Sequence, residues 1–490
     1  MSAAPVNPCP DCQRLQAQLE QQRAQLEEQR AQLEQQRAQL ETLQATATRL
    51  EERLAAAGKS SSTSSKPPSS DIVKPPPPPP PPGQEKRTIG GQPGHPKHER
   101  TLFPPEALTS PPHCHTIEIC PDCGHGLDPA DVAPRVVQQI DIREVPLVIE
   151  EHRSMPFWCA NCQKVHYAQL PDALERGGLV GPRLTTLIAY LKGFCHASFS
   201  TIRKYLRDVL QVTISRGQLA KIIAKVSAAL QEPYEELLEN LPGQPHLNVD
   251  ETGHKNNKER MWTWCFRASL YTLFKIDPFR SADVLMDVLG EEFDGVIGCD
   301  HFSAYRRYMR ECGVEVQFCL AHLIRDVKFL MTLPDKREQA YGQRLRQSLR
   351  QLFGVIHQRE KMTAAVFQRE LKKAREEVLR QGTQNVPPTR HAQTMAKRLT
   401  RYGESYFTFI TTPGVQPTNN LAEQAIRFVV IDRRITQGTR SKTGQRWCER
   451  IWTVIATCTQ QGRSVFEYLT RAIEAHFHGE KAPALLPQPG

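Results

Sequence analysis

A chain of 490 residues with 63 Lys and Arg against 53 Asp and Glu carries a formal charge of +10 and a pI near 8.9. It is too long for one compact domain, so three or more units are expected, and its mild cationic excess suits a polyanionic partner. No apolar run reaches the length of a membrane span and no signal-peptide core opens the chain, which excludes a spanning helix and points to the cytoplasm. Fourteen cysteines, several in Cys-x-x-Cys pairs, then read as reduced thiols and metal ligands rather than a disulfide framework.

Residues 1–58 form the first unit. Cys9 and Cys12 are half a zinc site at most, and with no second pair nearby they read as two exposed thiols. From residue 13 the repeat Gln-Gln-Arg-Ala-Gln-Leu-Glu sets a heptad. Leu19, Leu26, Leu33, Leu40, Ala47 and Leu54 share one core position; Leu15, Gln22, Gln29, Gln36, Leu43 and Leu50 share the other. Three glutamines weaken the seam, and a lone polar helix is the alternative to an oligomerising coiled coil. Residues 59–99 follow as a linker: a Ser-rich run, eight consecutive prolines at 75–82, then an arm with Lys86, Arg87, Lys97 and His98. Such sequence builds no core and prefers extended polyproline II.

Residues 100–172 carry Cys120-Pro-Asp-Cys123 and Cys159-Ala-Asn-Cys162, two pairs each able to present two thiolates to a structural Zn2+. Ile140, Ile142, Val145, Leu147 and Ile149 alternate between them as strands do, which is the plan of a zinc ribbon. His113, Cys114, His115, His125 and His166 are rival ligands. Residues 176–242 are helical in pattern, with Leu184, Leu187, Ile188 and Leu191 on one stripe and Ile202, Tyr205, Leu206, Val209 and Leu210 on another. Ser215 caps a further helix carrying Leu219, Ile222, Ile223, Val226 and Leu230. Helix, turn and capped helix read either as a helix-turn-helix DNA reader or as an ordinary helical core.

Residues 243–325 open an α/β core. His246–Gly253 reads as a short buried strand ending in Asp250 and Glu251, and a carboxylate there is costly unless paired or bound to a cation. Strands at 261–268 and 270–276 follow, then a helix at 281–289. A strand at 295–299 ends in Asp300, followed by a helix at 302–311 and a strand at 314–318. This order describes an α/β domain of the ribonuclease H type, in which the first and fourth strands are neighbours and Asp250 faces Asp300. Glu251 rivals Asp250, but strand alternation turns it to the other side. Residues 326–412 are a helical insertion, marked by Leu345, Leu349, Leu352 and Ile356 and broken at Pro387-Pro388. The core resumes over 413–478, where Thr418 or Asn419 caps a helix bearing Glu423, and 479–490 is a tail. Alone, Glu423 reads as a surface ion pair with Arg427.

Together the three acids read differently. Two Mg2+ or Mn2+ ions, about 3.5–4 Å apart, need a small set of oxygen ligands for in-line phosphoryl displacement. Two strand-end aspartates and a helix glutamate supply that set. The cluster Arg427, Arg433, Arg434, Arg440, Lys442, Arg446 and Arg450 beside Glu423 suits DNA phosphates, with a solvated helix face as the alternative.

In order along the chain, Ser64–Asp71, Gly90–His95, the Cys-x-x-Cys pairs, Asp250-Glu251-Thr252-Gly253, Cys299-Asp300, Cys319-Leu-Ala-His322 and Asn419–Glu423 resemble a bacterial insertion-sequence transposase. The class is DDE, and within it the insertion-sequence-sixty-six family. The resemblance implies that Asp250, Asp300 and Glu423 are the catalytic and metal-binding triad. It implies cleavage at the terminal inverted repeats of an element and joining of a 3′-hydroxyl to target DNA. Self-association through the coiled coil and companion proteins of the same element are further expectations. Gln424 and His254 depart from the residues expected at their positions. A structure-specific nuclease or resolvase without strand transfer, and a catalytically inactive DNA-binding regulator, are the alternatives. His322 is expected to be structural.

Overall fold

A computed structural model describes residues 10–59, 63, 102–108, 110–114, 118, 122, 124–125, 136, 138, 146–159, 161 and 164–486. Cys9, the prolines at 75–82, the arm residues 86–98, and Cys120, Cys123 and Cys162 lie outside the described residues, as do the side chains of Cys12 and Cys159. The chain divides into two compact units, one of residues 75–153 with 204–213 and one of the remainder.

In the smaller unit a 3-10 turn spans Pro105–Ala107, and the Gln138 amide both accepts from Phe103 N–H at 2.7 Å and donates to Phe103 C=O at 3.0 Å. The strand expected around Leu147 and Ile149 does not form over residues 146–150. Pro146 has no N–H to donate, and Val148 and Ile149 are 88% and 87% exposed, so among the described residues no neighbour offers a packing surface.

In the larger unit, α1 (Pro10–Ala57) is one continuous helix, as a Pro- and Gly-free repeat dictates. Its leucines at 15, 19, 26, 33, 40, 43, 50 and 54 are all more than half exposed. β1 (Pro156–Cys159) and β2 (Lys164–Tyr167) form an antiparallel pair with Cys159 opposite Lys164. Five helices follow: α2 (Asp172–Gly177), α3 (Pro182–Gly193), α4 (Phe199–Leu210, whose residues from 204 on are counted in the smaller unit), α5 (Arg216–Ala229) and α6 (Gln231–Glu239). Ser215 caps α5 as expected, its hydroxyl accepting from Gln218 N–H at 3.1 Å. Leu219, Ile222, Ile223 and Val226 on α5 are buried.

The core is a five-stranded mixed sheet in the order β5-β4-β3-β6-β7. β3 (His246–Asn256), β4 (Glu259–Arg267) and β5 (Thr272–Asp277) are antiparallel neighbours; β6 (Val296–Cys299) and β7 (Glu315–Phe318) run parallel to β3 on its other side. β3 does not stop at Asp250. It continues to Asn256 because Asn257 and Lys258 both take positive φ (48° and 73°) and close a two-residue hairpin that keeps the pairing alive. The β3–β6 pairing, however, ends at Asn248–Gly298, so Asp250 does stand beyond that parallel ladder.

The connections are helical: α7 (Ala282–Leu289) and α8 (Ser303–Cys312) flank β6, and α9 (Leu320–Leu330) follows β7. The insertion comprises α10 (Lys336–His357), α11 (Ala364–Thr383), α12 (Arg390–Tyr402) and a short α13 (Thr408–Thr411). Leu345, Leu349 and Leu352 are fully buried within it. α14 (Asn420–Thr436), α15 (Lys442–Gln460) and α16 (Val465–His478) complete the unit. α15 covers the free edge of β5. Glu449, Thr453 and Thr457, one turn apart, accept from the N–H groups of Ile276, Phe274 and Thr272 at 2.7, 3.0 and 3.2 Å. Three helical side chains thereby replace a missing strand and leave no open edge there.

Candidate functional site

β3 alternates its side chains between the two faces of the sheet, and the contacts identify both. On one face, Asn248 bonds Asn419, Thr252 accepts from Arg433 at 3.0 Å, and His254 bonds Thr439 at 3.0 Å. These partners lie at the start of α14, near its end and just beyond it, so Asp250 shares the face that α14 covers. Glu251 points the other way, as expected. It is buried, accepts from Nε and Nη2 of Arg280 at 2.8 and 2.5 Å, and takes the Tyr305 hydroxyl. A carboxylate so fully engaged is a structural ion pair.

Asp300 follows β6 directly. The β3–β6 pairs keep a constant offset of 50 residues, from His246–Val296 to Asn248–Gly298, and Asp250 and Asp300 each stand two residues past the last pair. Asp300 Oδ1 accepts from Phe302 N–H at 2.9 Å. Burial, then the negative charges of Glu251, Asp300 and Glu423, push the Asp250 carboxyl well above the ordinary carboxylate range. Burial and Glu251 raise Asp300 too, against the Phe302 N–H, His322 and Arg280.

Glu423 lies in the first turn of α14. The surface pair with Arg427 does not form; Arg427 points to solvent, and Glu423 turns inward to α9. Its Oε1 is 3.6 Å from His322 Nδ1 and its Oε2 is 3.6 Å from Arg325 Nη2, while Arg325 Nη1 donates to His322 Nε2 at 3.2 Å. Glu423 Oε1 and His322 Nδ1 are both buried without a hydrogen-bond partner. Cys319, His322 and Glu423 bring one ligand atom each within 4.8 Å of one another; among the described residues the three acids do not close to that spacing.

Asn419 holds this corner together, and not as the helix cap that its position suggests. Its Oδ1 accepts from Asn248 Nδ2 at 2.9 Å, its Nδ2 donates to Val249 C=O at 2.8 Å, and its backbone N–H points at Cys319 Sγ at 3.2 Å. Gly298 makes room for the clamp, because a Cβ there would lie 2.6 Å from Asn248 Nδ2. Neither Asn419 nor Arg325 stands out by composition, and His322 is buried beside Glu423. Their sequence signal is the local order Cys-x-x-His-x-x-Arg and Asn-Asn-x-x-Glu.

The residues present fit a divalent cation. Three acids come from three elements, the half-buried Asp250 has its charge opposed by other acids, and Glu423 Oε1, grouped with Cys319 and His322, has no hydrogen-bond donor. The sequence pattern of the Transposase IS66 family matches residues 177–446, more than half of the chain and all of this site. The chain belongs to the IS66 transposase family. Membership makes it a DNA-processing enzyme, and members act on insertion sequences. Residues 12–101 match a family of unknown function (DUF6444), and no curated protein matches the chain.

In this IS66 transposase the expected basic cluster splits by location. Arg427, Arg434, Arg440, Lys442 and Arg446 are exposed. Arg433 is half-buried on Thr252, and Arg450 donates to Ser227 C=O at 2.7 Å. Arg446 also pairs with the buried Glu449 at 2.9 Å. His254, at a departing position, packs edge-on against Trp452 with centroids 6.0 Å apart, and burial lowers its pKa to about 4. No helix among the described residues is long and apolar enough to cross a membrane.

Proposed function

We propose that this transposase is of the DDE type, with Asp250, Asp300 and Glu423 holding two Mg2+ or Mn2+ ions on a ribonuclease H-like core. The observation that supports the reading is that Asp250 and Asp300 each lie two residues past the last β3–β6 pair, Asn248–Gly298, and that the charges of Asp300 and Glu423 are both felt at Asp250. The strand order, three antiparallel and two parallel around β3, supports the same core. When bound, the ions would supply Lewis-acid stabilisation to the attacking and leaving oxygens of an in-line displacement. The chain's own residues do the positioning. Asn248 and Asn419 tie β3 to α14, His322 and Arg325 aim Glu423, and Arg280 with Tyr305 keeps Glu251 out of the donor set. The exposed Arg427, Arg434, Arg440, Lys442 and Arg446 take DNA phosphates, and Arg433 stiffens their helix on β3. Cleavage at a terminal repeat leaves a 3′-hydroxyl, which joins target DNA in a second displacement.

Purified protein given a pre-cut element end, target plasmid and Mg2+ is expected to yield joined product. Cleavage without joining would instead make it a nuclease.

The N-terminal units extend the reading to assembly and end recognition. With its leucines exposed along α1, the helix buries them by pairing with further copies of itself. Sedimentation of the full chain should show an oligomer that Leu26→Asp with Leu33→Asp dissociates; a wild-type monomer removes the coiled coil. Cys120, Cys123, Cys159 and Cys162 hold a structural Zn2+ in a ribbon that, with the helical region and the basic arm, recognises element ends. Elemental analysis should find zinc in the protein and less of it in Cys120→Ser; zinc-free wild type removes the ribbon.

A further inference from the structure

A cavity of about 400 Å3 lies where the core meets the insertion, and its lining is cationic. Arg280 and the first residues of α7 form one side, Ser303 to Arg310 of α8 another, and Arg401 with Tyr402 from the end of α12 the third. Five guanidiniums line it and no carboxylate does. Three acids just outside pair with the lining arginines among the described residues. Glu251 holds Arg280, Asp283 pairs with Arg307 at 3.1 Å, and Glu311 is shared by Arg307 and Arg310 at 2.8 and 3.0 Å. Among the described residues Arg306 and Arg401 pair with no carboxylate; both lie against the Tyr402 ring, at 5.9 and 5.2 Å from its centroid. Arg306 Nε is buried with no hydrogen-bond partner.

Two helices begin at this cavity. Ser281 and Phe302, the N-cap residues of α7 and α8, provide no side-chain cap, so first-turn N–H donors and two positive helix ends add to the guanidiniums. A group of five arginines, two of them without a carboxylate partner among the described residues, beside two helix N-termini is a receptor for a phosphate-bearing anion, since the guanidinium fork matches phosphate oxygens. The cavity is also tied to the acids. Ser303 is three residues from Asp300, Arg280 is the partner of Glu251, and Tyr402 packs edge-on against His301 at 5.2 Å.

We infer that this cavity is a second phosphate-binding site, separate from the basic stretch of α14 and α15, which grips the backbone of the DNA strand running past Asp300 toward the insertion. It assigns the insertion a role in holding substrate through Arg401 and Tyr402. The inference rests on the reading of the chain as a DNA-processing transposase, but not on which acids perform the chemistry.

The test is binding of full-length protein to a fluorescent mixed-sequence duplex, in chelator and over a NaCl series. Arg306→Gln with Arg401→Gln should weaken binding about tenfold and flatten the slope of log K against log[NaCl] by about 2, near 0.9 for each lost phosphate contact. Arg369→Gln with Lys373→Gln, exposed on α11, removes the same charge away from the cavity and should change both quantities far less. Equal losses in the two double variants, or no loss in the first, overturn the inference. Should the first variant melt early, the exposed pair Arg310→Gln and Arg401→Gln takes its place with the same two outcomes. Cation-free binding is blind to cleavage, so a failed metal site and a failed cavity are told apart: Asp250→Asn decides the former.

Discussion

Asp250→Asn is expected to lower DNA cleavage by about a thousandfold or more while raising the melting temperature of chelator-treated protein by several degrees. The first effect follows from removing a ligand of ions that supply several kcal/mol of transition-state stabilisation, where about 1.4 kcal/mol is a factor of ten. The second follows from the native-state electrostatics. Burial and the charges of Glu251, Asp300 and Glu423 raise the folded-state pKa of Asp250 above its unfolded value, so ionising it opposes folding. That contribution to stability is fully present below the unfolded pKa and is lost as pH rises through the raised one. Chelated wild type should therefore lose stability from about pH 4 upward, and the variant should lose less. Asparagine keeps the oxygen that accepts Glu251 N–H at 2.9 Å, so no donor is orphaned. Adding Mg2+ should raise the melting temperature of wild type and leave the variant nearly unmoved. Normal cleavage by the variant, or a lower melting temperature in chelator, would remove Asp250 from the metal site.

The two aspartates were legible because each ends or interrupts a run of buried strand residues, where an acid has few bland explanations. Strand alternation also turned Glu251 away correctly. Strand length was not legible. Nothing in Thr252–Asn256 advertises an extended segment, and the hairpin depends on Asn257 and Lys258 both adopting positive φ. Glu423 stands out by motif order alone, and its local pattern points to a partner other than the one it meets. Spacing of four along a helix suggests Arg427, whereas the residues that face it, His322 and Arg325, are about a hundred positions upstream. Long-range side-chain partners leave no periodic trace. The same holds for the arginine cavity, whose walls come from two core segments and, about a hundred residues on, the end of α12 in the insertion, and for the ladder from Glu449 to Thr457, where helical spacing matches strand spacing across the fold.

Asn419→Ala should be the most damaging substitution outside the acids, in both stability and rate. The residue is 2% exposed, and among the described residues its amide is the one side chain that bonds both Asn248 and the backbone of Val249 one step before Asp250. Truncation leaves the Asn248 amide and the Val249 carbonyl buried without this partner. At about 1–3 kcal/mol for each unsatisfied group, a loss of about 2–5 kcal/mol in urea unfolding is expected. The rate should fall by a further 10- to 100-fold at Mg2+ saturation, the usual range for residues that orient metal ligands, because α14 carries Glu423 four residues on. The two losses have one cause, so the double variant with Asn248→Ala should be about 1–3 kcal/mol less destabilised than the sum of the singles. Gly298→Ala should imitate the defect from the opposite side, since its Cβ would enter the space of the Asn248 amide. Glu423→Gln is the contrasting case, losing the rate with the clamp intact. If Asn419→Ala unfolds at the wild-type urea concentration, then α14 is held by its apolar face alone and the site does not depend on this amide.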